Sequence, residues 1–128
     1  MARTRVDLGR RGERLAEQKL ALGGYAVVAR NYRCSAGEID LIARQDGVLV
    51  FVEVRTRRGE SFGTPEASIT PRKRRHLIAA AQTYLLENDL AEAAWRIDVV
   101  AVQFSSRGEL LRVDVIANAV QGEGGAAG

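Results

Sequence analysis

An α/β fold built on one mixed β-sheet is what the sequence predicts, and three observations carry that expectation. Two segments repeat apolar residues at helical spacing, Leu8 to Leu22 and Thr70 to about Asn88. Five short runs rich in Val, Ile, Leu and aromatic residues have the character of strands. Their order is αβββαββ, so runs of strands separate the helices, as in a sandwich of helices around a sheet. With 128 residues the chain is long enough to bury a core without disulfides or structural metal. Residues 1–120 read as a single domain, and "QGEGGAAG" at 121–128 reads as a disordered tail.

In the first helix Leu8, Gly12, Leu15, Ala16, Leu20 and Leu22 share one broad arc, with Arg10, Arg11, Arg14, Glu17 and Gln18 opposite; Gly23 and Gly24 end it. "YAVVARNYR" from Tyr25 reads as a short strand, and "GEIDLIARQDGVLVFVEVRTRR" from Gly37 as two more. The polar loop "RRGESFGTPEAS" follows. Thr70 and Pro71 suit an N-cap and first helical position, and Leu77, Ile78, Ala81, Tyr84 and Leu85 mark the apolar face of a second helix. "WRIDVVAVQF" and "LLRVDVIANAV", joined by the turn "SSRGE", supply the last two strands.

Composition narrows the function classes. No apolar run approaches the roughly 20 residues that span a bilayer, and the basic N-terminus lacks the apolar core of a signal peptide, so a cytoplasmic protein without membrane attachment is expected. One cysteine, Cys34, excludes an internal disulfide and carries no zinc pattern; it reads as a small, partly buried side chain. The net charge of +3 comes from clustered arginine: Arg10, Arg11 and Arg14; Arg55, Arg57 and Arg58; and "PRKRRH" from Pro71 to His76. Such clusters neutralise phosphates, which makes nucleic acid the natural partner; the alternative is a solvated surface.

Asp46-Gly47 is a two-residue hairpin signal, because a type I′ turn needs positive φ at both central positions. Counting outward, Gln45 faces Val48, Leu41 faces Val52, Asp40 faces Glu53 and Glu38 faces Arg55. Alternation then puts Ile39, Leu41, Ala43, Val50, Val52 and Val54 on one face, and Ile42, Phe51 and the two acids on the other. Opposed carboxylates repel, and a hard divalent cation such as Mg²⁺, which takes one or two carboxylates plus waters and phosphate oxygens, would offset the repulsion. The competing expectation is that these acids are solvated or paired with arginines. Glu13 lies at the edge of its helix's apolar arc and either faces the sheet or makes a solvated contact one turn away. Asp98 and Asp114 interrupt apolar strands; edge solvation accounts for Asp114, and a supporting role near the site is open for Asp98. His76 suits a surface or phosphate-contacting role.

Asp40, twelve residues, then Glu53-Val54-Arg55 resembles the core motif of the PD-(D/E)xK nuclease superfamily, which has the restriction-endonuclease-like fold. "GRRGERLAEQKL", "ARNYRCSAGEIDLIARQDGVLVFVEVRTR", "ITPRKRRHLIAAAQTYL" and "RIDVVAV" together resemble the YraN-type family of endonuclease-like bacterial proteins, related in fold to archaeal Holliday-junction resolvases. The likeness spans roughly Leu8 to Val120. It implies Asp40 and Glu53 as metal-binding acids for Mg²⁺ or Mn²⁺, with the Val54 carbonyl available and Glu13 as the helix-borne acid completing the site. Gln82 would match a core polar residue of some relatives. Arg55 stands where the superfamily has lysine; it stays protonated, so it can stabilise charge or orient water but cannot act as a base.

The expectation is therefore metal-dependent hydrolysis of phosphodiester bonds in nucleic acid, DNA of structured or branched form, with Asp40, Glu53, Arg55 and Glu13 catalytic. Arg57, Arg58, Arg72, Lys73, Arg74 and Arg75 would contact the backbone without reading sequence. The alternative is a catalytically inert nucleic-acid-binding module of the same fold. The resolvase-like relatives are dimers, and the strand beginning at Leu110 offers an edge for a homodimer.

Overall fold

A computed structural model describes residues 4–59 and 64–120. Its elements are α1 (Arg5–Leu22), β1 (Ala26–Cys34), β2 (Gly37–Gln45), β3 (Val48–Arg58), a single 3₁₀ turn at Glu66–Ser68, α2 (Pro71–Glu87), β4 (Trp95–Phe104) and β5 (Leu110–Val120). Class and order match the sequence-based expectation. The first helix begins earlier than its apolar arc suggested, because Thr4 caps it: the Thr4 side chain accepts from the Asp7 N–H at 3.1 Å. Thr70 caps α2 in the same way, accepting from the Lys73 N–H at 3.1 Å, with Pro71 at the first position. Part of the polar loop and the expected disordered tail fall on 60–63 and 121–128, outside the described residues.

The five strands lie in the order β1-β2-β3-β4-β5. All neighbours are antiparallel except β3 and β4, which run parallel and are joined through α2. A parallel pair needs such a crossover, whereas the other pairs close through short turns. The two faces of the sheet carry separate cores. Leu41, Ala43, Val50, Val52, Val100 and Val102 pack with Leu8, Ala16 and Leu20 of α1. Ile42, Leu49, Phe51, Ile97 and Val99 pack with Leu77, Ala80, Ala81 and Leu85 of α2. The result is helix, sheet, helix, with the central strands β2, β3 and β4 buried on both sides and the outer strands β1 and β5 largely half-buried or exposed. No described helix is long and apolar enough to cross a membrane.

Two details of this packing fix the functional region. Asp46 and Gly47 have φ of 51° and 79°, so the turn has the left-handed conformation at both central residues that its sequence called for. The register follows as counted, from Gln45 opposite Val48 to Leu41 opposite Val52. On the α1 side Gly12 presses against β3: a Cβ there would stand 2.3 Å from the Thr56 hydroxyl oxygen, so α1 comes this close only because position 12 has no side chain.

Past Leu41 the simple alternation fails. Ile39, expected beside Leu41, packs instead with Ile42 and Phe51 on the α2 face. Glu38, expected opposite Arg55, pairs across β1 with Arg33, the ions 3.1 Å apart. The change falls where the strands are irregular: Asn31, between the β1 partners of Leu41 and Ile39, has φ of 51°, and the β2–β3 pairing stops at Leu41–Val52.

Candidate active site

Where β2 and β3 part, Asp40 occupies the gap. With Ile39 turned to one face and Leu41 to the other, the Asp40 side chain lies toward β3, and its Oδ2 accepts the Val54 N–H at 2.8 Å. The carboxylate thus takes the amide proton that a continued ladder would have used, and the carboxyls of Asp40 and Glu53 lie close enough to perturb each other. The two acids come near each other, but not as the counted cross-strand pair: the pairing stops at Leu41–Val52, and Asp40 reaches β3 through the Val54 N–H.

Only two acids are buried among the described residues, Glu53 at 3% exposure and Asp98 at 0%, and their surroundings differ. Asp98 is fully compensated: Arg96 Nε donates at 2.9 Å, the Tyr25 hydroxyl at 2.6 Å and the Asn118 N–H at 2.8 Å. None of these partners belongs to the Asp40–Glu53 pair, so Asp98 is a structural tie between β4, β5 and the turn that leads from α1 into β1. Glu53 faces a second carboxyl and two looser cations, Arg55 Nη1 at 3.5 Å and Lys73 Nζ at 3.6 Å. Burial first, and then the Asp40 charge, push the Glu53 carboxyl up to about 7. Burial also raises Asp40, against the pull of the Val54 N–H.

Glu13 is brought to the same region by the close approach of α1. It is half-buried, and its pKa is raised by burial and by the charges of Asp40 and Glu38. With Asp40, Val54, Arg55, Arg57 and Arg58 it lines a cleft of about 770 Å³ on the α1 side. Of the two readings left open for Glu13, the one facing the sheet is the observed one.

A pair of carboxyls, one buried and one half-buried, both with raised pKa, suits a hard cation, which relieves the repulsion and needs only one or two carboxylates besides waters and phosphate oxygens. Among the described residues no three His, Cys, Asp or Glu side chains gather tightly enough to cage an ion unaided. An ion here would rest on Asp40, Glu53 and the Val54 carbonyl, with Glu13 lining the same cleft as Asp40.

The basic residues separate into groups. Arg57 and Arg58 line the cleft, and Arg58 also donates to the Ser106 carbonyl at 2.9 and 3.1 Å. Arg72, Arg74, Arg75 and His76 are exposed on the first turns of α2. Arg11 is structural, donating to the Gly108 carbonyl and lying over the Phe104 ring. Arg55 is held by Ser68, whose hydroxyl accepts from Nε at 3.0 Å and from Nη2 at 2.8 Å. Asp114 is exposed and paired with Arg112, as edge solvation requires. Gln82 is exposed, so it is no core polar residue.

Ser68 and the inward turn of Lys73 were not read from the sequence. A signal for Lys73 existed: it stands one helical turn before the buried Leu77, on the same face of α2.

Fold and site together define an α/β protein with a buried and a half-buried carboxyl side by side at a split in its central sheet, flanked by arginine. The chain belongs to the uncharacterised protein family UPF0102, whose model matches residues 12–102. This is the YraN-type group that the four sequence segments resemble. A UPF0102 protein of Roseiflexus castenholzii is 48% identical over 122 residues, covering 94% of this chain and 98% of its own length. One from Moorella thermoacetica is 44% identical over 119 residues, covering 93% and 99%. Among solved structures, SfsA of Pyrococcus furiosus in complex with Ca²⁺ overlays with a TM-score of 0.36 at 15% identity, over 81% of this chain and 60% of that one, too distant an overlay to bear on the site.

Proposed function

We propose that this chain is a metal-dependent, endonuclease-like cytoplasmic protein that hydrolyses phosphodiester bonds in nucleic acid, with structured or branched DNA as the substrate its surface suits best. The observation that carries this reading is the contrast between the two buried acids. Asp98 has the full set of donors that a structural carboxylate needs, whereas Glu53 is held against a second carboxyl at a cost that folding alone gives no reason to keep.

Asp40, Glu53 and the Val54 carbonyl would hold Mg²⁺ or Mn²⁺, which when bound supplies Lewis acidity toward the phosphodiester and makes water a better nucleophile. Asp40 is pre-positioned for this by its bond to the Val54 N–H. Arg55, permanently charged and fixed by Ser68, steadies negative charge at the reacting phosphate. Glu13 closes the α1 side of the cleft. Arg57 and Arg58 beside the cleft, and Arg72, Arg74 and Arg75 exposed on α2, would contact backbone phosphates, which position a substrate without reading its sequence. Aromatic residues are only 5% of the chain, so stacking on single-stranded bases is not the expected mode.

One observation favours the inert binding module. The cation in the motif position is an arginine already engaged by Ser68, and it can neither give nor take a proton. That reading expects salt-sensitive binding without cleavage. The test is cleavage of branched and duplex DNA with Mg²⁺ or Mn²⁺ by the wild type and by folded Asp40→Asn and Glu53→Gln variants. Metal-dependent cleavage lost in both variants supports the nuclease; cleavage that survives both refutes the site.

A further inference from the structure

We propose that Lys73 is a catalytic cation of the acid site, supplying the compact, mobile positive charge that position 55 lacks, and is not one of the flanking contacts to backbone phosphates. This rests on the nuclease reading above and assigns a further residue to the same site.

The geometry separates Lys73 from its neighbours. The Thr70 cap and Pro71 fix where α2 begins, and Lys73 then falls on the buried face, one turn before Leu77. Arg72, Arg74 and Arg75 are exposed, whereas the Lys73 ammonium turns inward to stand 3.6 Å from Glu53 Oε2. It sits within the first turn of a helix, where the backbone dipole adds positive potential.

Arg55 cannot fill this place as a lysine would. Two of its nitrogens are taken by the Ser68 hydroxyl, which itself donates to the Pro65 carbonyl at 2.5 Å, so its planar fork is fixed and only Nη1 reaches Glu53. Lys73 carries a point charge on a flexible four-carbon stem, and its side chain is 34% exposed, open to an arriving phosphate. Hydrolysis balances without a proton from it. Water bonds to phosphorus and gives its proton to solvent, the bond from phosphorus to the leaving sugar oxygen breaks, and that oxygen takes a proton from solvent. Lys73 stabilises the charge that builds on the non-bridging oxygens.

The test compares Lys73→Met, which keeps the stem without the charge, with Arg74→Ala as a flank control, using Mn²⁺ and a branched DNA duplex. For Lys73→Met the expected result is a fall in kcat of about 100-fold, the size seen when one charge-stabilising donor is removed, with KM nearly unchanged. Arg74→Ala should raise KM and flatten the salt dependence of binding, leaving kcat alone. Calorimetry with Mn²⁺ alone gives a second readout: loss of a cation this close to Glu53 should tighten Mn²⁺ binding, about 10-fold. Cleavage with kcat unchanged in Lys73→Met, or an unchanged Mn²⁺ Kd, overturns the assignment of Lys73. A wild type that cleaves none of the substrates sinks the underlying nuclease reading and the catalytic role with it.

Discussion

Glu53→Gln should make the metal-free protein more stable at pH 8 and leave it little changed at pH 4. Glutamine has the shape of the protonated acid but never ionises. In the folded chain the Glu53 carboxyl is pushed up to about 7 from an ordinary 4.5 by burial and by Asp40, after the opposing help of Lys73 and Arg55. Below pH 4.5 the group is protonated whether the chain is folded or not, and it contributes its full stability. Between 4.5 and 7 the unfolded chain releases the proton and the folded chain keeps it, so stability falls by about 1.4 kcal/mol per pH unit. Above 7 the loss is complete, at roughly 3 kcal/mol. For a domain of this size that is about 10 °C in Tm. The assay is thermal unfolding followed by circular dichroism from pH 4 to 8.5 in chelator, wild type against variant. The gain should open across pH 4.5–7 and then level off. A gain that is constant across this range, or a wild type that becomes more stable from pH 5 to 8, would refute a buried Glu53 repelled by Asp40.

Other parts of the structure give further expectations. Millimolar Mn²⁺ at pH 8 should raise the Tm of the wild type by several degrees and leave that of Glu53→Gln where it was, by scanning calorimetry with and without chelator. Gly12→Ala drives a methyl to 2.3 Å from the Thr56 hydroxyl and should cost about 1–3 kcal/mol in urea unfolding, with most of the loss recovered in the double variant with Thr56→Ala. Asp98→Ala strands Arg96 and the Tyr25 hydroxyl among buried groups and should cost roughly 3–5 kcal/mol by the same measurement, far more than Asp114→Ala on the exposed edge.

The parts of this architecture legible in the sequence are those set by local chemistry. Asp46-Gly47 demanded a left-handed turn, and the turn fixed the register as far as Leu41 opposite Val52, one residue short of Asp40 and Glu53. Thr70-Pro71 marked the start of α2 for equally local reasons. What escaped was decided by contacts far apart along the chain. Ile39 leaves the face that alternation assigns it at the level where Asn31 takes a positive φ, and the α2 core receives it. Asp98 looks like an interruption until Tyr25 and Arg96 converge on it. The basic run from Arg72 to Arg75 reads as uniform charge, and only the docking of α2 on the sheet turns one of its members toward Glu53.

A crystal soaked in Mn²⁺ at pH 8, measured for anomalous scattering, bears most directly on the carboxyl pair as a metal-binding centre. The expected result is a single strong peak bridging Asp40 and Glu53 at about 2.1 Å from their oxygens, the span of a small divalent ion. A map with Mn²⁺ bound elsewhere on the chain and nothing between those two carboxyls would contradict it.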